Sequence, residues 1–394
     1  MEPFSPETSR PLTAPTTAQS AVPAEPPLSP SPPPRVALVY QFTHKRERSP
    51  FLSNPLLDLL QAVRQHGSIS GAARQLDLSY RHVWGQLKDW ETQVGQPLIV
   101  WDRGQAARLT PFADKLLWAE RLAQARLAPQ IETLRAELER ALATVFDPRT
   151  QVLSLHASHD DALSRLLDMA SQQAGLHLDI HFCGSVDAIR ALNEGRCQLA
   201  GFHTRQFPGR QTLTARTYKP LLKPGRHKII GFALRQMGLM VAAGNPLGLH
   251  TLTDVAARQA RWVNRPLGSG TRVLLDEMLQ LAGLEGPALN GHDNCQPSHA
   301  AVAQAVANGQ ADAGLGTESA ARAASLGFVP LVQERYQLVC LKSELDTAAV
   351  VALRKLLASP IWAHTLQQLP GYADDQGGSV QAMNRWLPWW AFRG

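Results

Sequence analysis

The clearest pattern in the chain is a run of helical hydrophobic spacing that begins near Asn54 and continues to about residue 94. A short helix over 71–76 precedes a tight turn at 77–79, and Ser79 is placed to cap a longer helix that starts at Tyr80. Apolar side chains repeat along that longer helix at Val83, Leu87, Trp90 and Val94. A short helix, a tight turn and a longer helix with one apolar face together predict a helix-turn-helix.

The polar face of the longer helix supplies the candidate DNA contacts. Two short strands, at 98–100 and 108–110, flank a possible wing at 101–105. Side chains predicted to reach base edges are Arg81, His82 and Gln86. Side chains predicted to contact phosphates are Ser79, Lys88 and Arg103. The alternative for this face is an ordinary solvated helix surface, and Trp84 and Trp90 are expected to belong to the core.

A further helix starts at Thr110-Pro111, with threonine at the cap and proline in the first turn. We expect an interruption near Pro129. The helix then resumes with a narrow apolar seam formed by Ile131, Leu134, Leu138, Leu142 and Val145. Such a seam pairs helices, which predicts a homodimer and a two-fold-related DNA site. The alternative is that the helix packs against the second domain of its own chain.

Beyond Pro148 the pattern changes to short apolar runs that alternate with helices. The order strand, helix, strand, helix, strand over 152–202 predicts a parallel, doubly wound sheet covered by helices. The length of 148–394 suits two lobes. The fold class is therefore α/β, with an N-terminal winged helix-turn-helix, a linker helix and a C-terminal two-lobed domain.

Several junctions between a strand and the next helix carry a hydroxyl group and free backbone N–H groups. The junctions contain Ser158-His159-Asp160, Gly184-Ser185, Gly268-Ser269-Gly270-Thr271 and Ser298-His299. Ligands bind at the carboxyl ends of strands in open α/β sheets, and helix N-termini favour anions. Arg265 or Arg272 would supply a full positive charge. The pattern predicts an anion site, and it is neither a Walker loop nor a dinucleotide fingerprint.

Composition narrows the class of protein further. Residues 1–34 contain eleven prolines and no apolar signal-peptide core, so we expect a disordered tail, followed by a short strand over 36–41. The formal net charge of +6 is compatible with nucleic-acid binding. No apolar stretch is long enough to span a membrane. The four cysteines (183, 197, 295 and 340) have no disulfide or zinc spacing, which favours the reducing cytoplasm.

The N-terminal half resembles a known family over residues 35–145. The residues that carry this resemblance are Gly67-Ser68-Ile69-Ser70-Gly71-Ala72-Ala73, Leu76, Ser79, Leu87, Gly95, Pro97-Leu98 and Leu109-Thr110-Pro111. Together they resemble the winged helix-turn-helix of LysR-type regulators. Ser79-Tyr80-Arg81 followed by Trp84 is more similar to the molybdate-dependent ModE-type branch. The resemblance implies a transcription regulator in which the helix from Pro111 dimerises the DNA-binding domains.

The C-terminal half resembles the type II periplasmic-binding-protein module over about 150–345. Its matching segments are Asn264-Arg265, Gly268 to Arg272, Ser158 to Asp160, Gly184-Ser185, Ala200 to His203, Ser298 to Ala303 and Asp312 to Gly316. Relatives of this module include binders of molybdate and tungstate. The resemblance implies ligand contacts from Ser158, Ser185, Ser269, Thr271 and Ser298, a charge partner in Arg265 or Arg272, and Thr317 near the hinge.

Two departures from these families bear on the ligand. The small β-barrel molybdate domains of ModE-type regulators have no equivalent in this chain. Asp160 and Asp161 would repel a dianion beside Ser158 unless they point away or are paired, and we interpret them as first-turn helix acids. Sulfate, a molybdopterin-type ligand and a small organic acid therefore stand beside molybdate and tungstate as candidate effectors.

The sequence as a whole predicts a cytoplasmic regulator that binds double-stranded DNA and a small anion, without a cofactor, a metal or a membrane partner. Its predicted segments are a tail over 1–34, a DNA-binding domain over 35–112, a linker helix over 113–147 and a ligand domain over 148–394. One alternative is an enzyme on the same scaffold, for which Asp160 with His159 is the only acid–base candidate. His292 to Cys295 is a weaker metal-site alternative. Trp386, Trp389 and Trp390 are expected to pack onto the first lobe.

Overall fold

The computed structural model describes residues 54–101, 106–146, 151–173 and 175–390, with the side chains of 142–146 and 173 excepted. The predicted tail over 1–34, the strand over 36–41 and the candidate phosphate contact Arg103 lie outside the described residues. So do the side chains of two seam residues, Leu142 and Val145. No helix in the described ranges is long and apolar enough to cross a bilayer.

The N-terminal domain contains the predicted helix-turn-helix. Its elements are α1 (Pro55–His66), α2 (Ile69–Gln75), α3 (Tyr80–Val94), β1 (Ile99–Val100) and β2 (Arg108–Leu109). The two strands pair antiparallel. Side-chain caps fix the helix starts, because Asn54, Ser68 and Ser79 accept from the backbone N–H groups of Leu56, Gly71 and His82. The predicted helix, turn, helix and strand order is confirmed.

One long helix, α4 (Pro111–Phe146), leads out of this domain, and its expected break at Pro129 is wrong. Proline has no N–H, so the carbonyl of Ala125 loses its partner within the helix. Ser298 in the C-terminal domain donates its hydroxyl to that carbonyl at 2.9 Å. Thr133 also donates to the carbonyl of Pro129 at 3.0 Å. The hydroxyl of Ser298 thus replaces the N–H that proline lacks as the donor to the Ala125 carbonyl, and the helix continues.

The C-terminal domain alternates strands and helices as expected, and it contains two 15-residue strands whose length the sequence did not predict. Its strands are β3 (Gln151–Ala157), β4 (Leu176–Phe182), β5 (Leu199–Arg205), β6 (His227–Val241), β7 (Trp262–Val263), β8 (Ala313–Thr317), β9 (Gly327–Leu341), β10 (Tyr372–Ala373) and β11 (Val380–Gln381). Its helices are α5 (Asp161–Gln173), α6 (Ser185–Asn193), α7 (Leu213–Tyr218), α8 (Leu252–Ala257), α9 (Gly270–Leu281), α10 (His299–Ala307), α11 (Glu318–Ala323), α12 (Ala348–Leu357), α13 (Pro360–Gln367) and α14 (Met383–Trp386).

The main sheet has the order β4-β3-β5-β9-β6-β8-β7. As expected, β3 runs parallel to β4 and β5, and β7 runs parallel to β8. The 15-residue strands β6 and β9 pair antiparallel along their length and connect the two lobes. The expectation of a doubly wound parallel sheet is therefore corrected to a mixed sheet, because two antiparallel strands pass through both lobes.

Helix α4 lies against the ligand domain of its own chain, on both sides of Pro129. Toward the second lobe, Arg126 donates to the side chain of Gln296 at 2.9 Å. Toward the first lobe, the buried Glu132 lies 3.3 Å from the ring of His159, and the ring of His177 lies 3.1 Å from the carbonyl of Ala136. The alternative that this helix packs against the second domain of its own chain is therefore present in the structure.

Two described residues of the seam, Leu134 and Leu138, lie on a different face of α4 and stay exposed in this chain. Leu134 is 52% exposed and Leu138 is 37% exposed. These two leucines are free to pair with a second copy while Glu132 and Ala136 face the ligand domain.

The C-terminal tryptophans pack onto the first lobe, as predicted. Trp386 and Trp389 are buried with Phe202 of β5 and Tyr218 of α7. Trp390 is half-buried and lies beside Trp389 at a centroid distance of 5.8 Å. This packing attaches the last described residues of the chain to the first lobe.

The hydrogen bond between Ser298 and Ala125 predicts that a second substitution, at Pro129, restores stability lost by substitution of Ser298. Ser298→Ala leaves a buried carbonyl without a donor and should lower the free energy of unfolding by about 1–3 kcal/mol. Pro129→Ala restores an N–H that can reach Ala125 within the helix, so the double variant should recover the part of the loss that comes from the Ala125 carbonyl, while the lost cap of α10 is not restored. Urea unfolding of the four proteins measures this cycle. If Ser298→Ala lowered the free energy of unfolding equally with and without Pro129→Ala, Ser298 would not be replacing the N–H that proline lacks.

Candidate functional site

The polar residues predicted to contact DNA lie on α3, the second helix of the helix-turn-helix. Arg81, His82 and Lys88 are exposed and Gln86 is half-buried, while Ser79 caps the helix through the N–H of His82. Because Val83 and Leu87 are buried against the domain core, the opposite face of the helix points to solvent. This orientation leaves the polar face accessible, as the predicted DNA contacts require.

Some residues of α3 have structural partners as well. Lys88 donates to Glu91 at 2.7 Å and lies 4.9 Å above the ring of Trp84. The same Glu91 accepts from the N–H of Leu98 at 2.8 Å, which ties α3 to the start of the strand pair. Trp84 and Trp90 pack partly buried against the core, as predicted.

The predicted ligand residues converge where the first lobe meets the second. The N–H of Val186, in the first turn of α6, lies 3.3 Å from the carbonyl of Gly268, just before α9. A β-carbon on Gly270 would lie 3.0 Å from the hydroxyl of Ser185. Glycine at this position therefore allows the start of α9 to approach the first lobe closely. Ser185 and the first turn of α9 thus face each other across the lobe junction.

Two of the predicted hydroxyl groups are buried and incompletely bonded. The hydroxyl of Ser158, after β3, makes no hydrogen bond within the part of the chain that is described, and the hydroxyl of Ser185, at the start of α6, interacts only with the hydroxyl of Tyr218. Thr271 on α9 is also buried, and its hydroxyl lies 3.3 Å from the ring of His299. Buried hydroxyl groups are normally bonded, so an open set at a lobe junction indicates a ligand position.

The remaining predicted hydroxyls are committed to the protein. Ser269, Ser298 and Thr317 cap α9, α10 and α11 by accepting from backbone N–H groups. Ser269 also donates to the carbonyl of Pro266 at 2.8 Å, and Ser298 donates to Ala125 on α4. In this structure, these side chains position the helix starts instead of pointing an open donor at the junction.

Of the two candidate arginines, only Arg265 lacks a carboxylate among the described residues. Arg272 is bonded to Asp276 at 3.0 Å and lies 3.0 Å from the ring of His292. Arg265 is 5% exposed, donates to the carbonyl of Gln296 at 3.0 Å and has no partner at its Nε atom. Burial, and then the positive charge of Arg235, lower the pKa of Arg265 to about 9. It still carries its charge at neutral pH.

The two aspartates beside Ser158 do not confront a ligand as unpaired charges. Asp160 accepts from Arg235 at 2.5 Å and from the hydroxyl of Tyr372 at 2.8 Å. Asp161 accepts from Ser319 at 2.6 Å, and its pKa is raised because the carboxyl is buried beside Asp160. Their interpretation as simple first-turn helix acids is incomplete, since each has a specific partner. Asp160 is occupied as an ion-pair partner, which removes the acid–base candidate of the enzyme alternative.

Sequence reasoning missed several members of this cluster. Arg235 on β6 bonds Glu334 on β9 as well as Asp160. His203, at the end of β5, stacks on Tyr336 at a centroid distance of 3.9 Å, and neither of its ring nitrogens has a partner. His299, next to the cap Ser298, has an open Nδ1 atom. For the two histidines, a place near a strand end and at a helix start was the only available signal, and Arg235 in the middle of β6 had none.

No group of three or more histidine, cysteine or acidic side chains among the described residues is arranged to hold a metal ion. At the metal site considered for residues 292–295, the ring of His292 lies against Arg272, Asp276 and Asp293. The described part of the chain contains its four cysteines as free thiols.

Two family descriptions match the chain. Residues 55–114 match the bacterial regulatory helix-turn-helix proteins of the lysR family, and residues 167–358 match the PBP superfamily domain. The first range contains α1 to β2, and the second contains most of the two-lobed domain. The first match confirms a regulatory DNA-binding domain, and the second confirms the binding-protein resemblance.

Individual proteins are similar to parts of the chain. The uncharacterized protein YvgK of Bacillus subtilis is 33% identical over 220 residues, which are 56% of this chain and 70% of YvgK. The molybdenum-pterin-binding protein MopA of Rhodobacter capsulatus is 28% identical over 116 residues, 28% of this chain and 44% of MopA. Among solved structures, the full-length LTTR LysG of Corynebacterium glutamicum is 19% identical with a TM-score of 0.35, covering 77% of this chain and 96% of LysG.

The orientation of α3 predicts the effect of removing its two central polar side chains. Arg81→Ala combined with Gln86→Ala should weaken binding to DNA from the protein's own upstream region at least tenfold, since each base contact contributes about 1–3 kcal/mol. Fluorescence anisotropy over a salt series measures both affinity and salt slope.

Arg322→Ala, on the exposed surface of α11, is the matched control for loss of one positive charge. An unchanged affinity and salt slope in the α3 double variant would show that the recognition surface has been assigned to the wrong residues.

Proposed function

The chain belongs to the lysR family of bacterial regulatory helix-turn-helix proteins and carries a PBP superfamily domain, and from this premise we propose its ligand and its mode of action. The junction between the two lobes binds a small anion, with a tetrahedral oxyanion such as molybdate or tungstate as first candidate. Binding alters the affinity of the N-terminal domains for promoter DNA. The regulator acts in the cytoplasm as a homodimer and needs no cofactor.

The observation that carries this proposal is the buried charge of Arg265. A buried guanidinium without a carboxylate is costly unless another anion approaches it. Within the described chain, Asp160 and Glu334 are bonded to Arg235, and no acid pairs with Arg265. The lack of a counter-ion at Arg265 therefore favours an anionic ligand beside it.

The other open groups suit an oxyanion. Ser158 and Ser185, the latter beside the hydroxyl of Tyr218, contribute hydroxyls from the first lobe, and Thr271 contributes a hydroxyl from the second. The first turn of α9 adds backbone N–H groups that have no partner within the helix. The name of MopA, a molybdenum-pterin-binding protein, supports molybdenum-containing ligands. Sulfate and small organic acids use the same donors and serve as comparison ligands.

Dimerisation and signalling both involve α4. We assign its exposed Leu134 and Leu138 to contact with a second copy, which would place two α3 helices on a two-fold-related DNA site. The same helix contacts both lobes on either side of Pro129. Rotation of the second lobe around a ligand would therefore move the Ala125 region of α4 relative to the Glu132 region, and so change the spacing of the two α3 helices.

The anion proposal predicts the effect of Arg265→Met, which keeps most of the buried volume and removes the charge. Tungstate or molybdate affinity, measured by isothermal titration calorimetry, should fall about ten- to a hundredfold, as expected for one charge-assisted hydrogen bond. Arg322→Met is the exposed control. Unaltered affinity in Arg265→Met would contradict the assigned site, and absence of binding to any oxyanion in the wild type would contradict the oxyanion class.

The signalling route predicts a separate effect of Ser298→Ala. Anion affinity should stay within about twofold, since the serine hydroxyl is bonded to α4, while the anion-induced change in DNA affinity should shrink from the about 5- to 150-fold typical of coupled sites. DNA titrations with and without tungstate measure this. A tenfold loss of tungstate affinity would instead make Ser298 a ligand contact, and a full DNA response would exclude the Ala125 contact as the route.

A further inference from the structure

Two buried histidines stand at the lobe junction, one on each side, and no ligand role has been assigned to them. His203 lies near the end of β5 in the first lobe, and His299 is the first residue of α10 in the second lobe. His203 is 2% exposed and His299 is 7% exposed. Three of their four ring nitrogens have no hydrogen-bond partner among the described residues.

Their surroundings place both rings next to the proposed ligand groups. A β-carbon added to Gly270 would lie 3.0 Å from the β-carbon of His203 and 3.0 Å from the hydroxyl of Ser185. The Nε2 atom of His299 lies 3.3 Å from the hydroxyl of Thr271. The two rings therefore line the same junction as the open hydroxyls.

The neighbouring groups that act most strongly on the two rings are basic. His203 is influenced by Arg235 and Arg265, and His299 by the same two arginines, by His203 and by His159. The nearest acids, Asp160 and Glu334, are bonded to Arg235, and His159 lies against Glu132 of α4. Burial first, and these cations second, hold the pKa of both histidines well below its usual value. Both rings are thus neutral at neutral pH in the absence of a ligand.

The charge balance then sets a condition on the ligand. A dianion bound at Arg265 alone leaves one uncompensated negative charge in a buried site, which is expensive. A proton placed on one imidazole ring would neutralise that charge and turn both ring nitrogens into donors. A monoanion would be neutralised by Arg265 without any proton.

We propose that His203 and His299 are direct ligands of the anion and that the pair takes up about one proton from solvent when a dianion binds, so that the site selects doubly charged oxyanions over monoanions of the same shape. This inference rests on the proposed anion site. The histidine pair then determines the specificity for the charge of the anion. Arg265 provides the attraction that is common to all anions.

Tungstate and perrhenate test the inference, because they are tetrahedral oxyanions of similar size with charges of −2 and −1. Calorimetric titration of the full chain at pH 7 in two buffers of different ionisation enthalpy counts the protons. We expect about one proton taken up with tungstate and none with perrhenate. The tungstate dissociation constant should rise up to tenfold per pH unit between pH 7 and 8.5, while that of perrhenate should stay nearly flat.

The double variant His203→Gln with His299→Gln keeps amide donors but cannot take a proton. It should lose the proton uptake, the pH dependence and most of the preference for tungstate over perrhenate. His250→Gln, at an exposed position of the second lobe, is the matched control.

Tungstate binding by the wild type without proton uptake would overturn the inference and leave the anion site standing. Failure of the wild type to bind either anion would overturn the anion site together with the inference. The proton count is obtained on the wild type, so it does not depend on folding of the variant.

Discussion

The buried ion cluster around Arg235 is the interaction on which the ligand domain depends. Arg235 lies on β6, bonds Glu334 on the neighbouring β9 at 2.8 Å and bonds Asp160 at the start of α5 at 2.5 Å. It thereby ties the two strands that connect the lobes to the first helix of the first lobe. Removal of one partner from such a cluster costs about 3–5 kcal/mol, because a buried charge is left uncompensated.

The same cluster determines the electrostatics of the lobe junction. Arg235 takes both Asp160 and Glu334 as its partners, while Arg265 remains without an acid among the described residues. Arg265 is therefore a buried cation without a counter-ion of its own, next to open hydroxyls and neutral imidazoles. The architecture of the strands and the proposed preference for an anion therefore have a common origin. Helix α4 adds the connection to DNA binding, because its two halves contact different lobes across Pro129.

Local signals in the sequence predicted the DNA-binding half well. The serine cap at 79, the turn between α2 and α3 and the apolar spacing of α3 are all short-range features, and the structure contains each of them. The same kind of signal located the helix starts at Ser269 and Ser298. It did not reveal whether a hydroxyl faces a ligand or another helix, since the partner of Ser298 is 173 residues away.

Long-range pairings explain the other differences. Arg235 and Glu334 are 99 residues apart in sequence, so nothing local predicted that they neutralise each other inside strands. Polar residues in the middle of β6 and β9 also concealed two 15-residue strands. Pro129 predicted a helix break because its compensating donor lies in another domain. His203 and His299 were visible at the expected junctions, but only their burial without partners indicates a role.

The central claim is that a single anion binds at the lobe junction beside Arg265. Anomalous diffraction from crystals grown with tungstate tests it most directly, because tungsten can be located without assumptions about the protein. We predict one strong peak within hydrogen-bonding reach of the Arg265 guanidinium and the Ser185 hydroxyl. A peak only at surface residues, or none in crystals that contain saturating tungstate, would contradict the account.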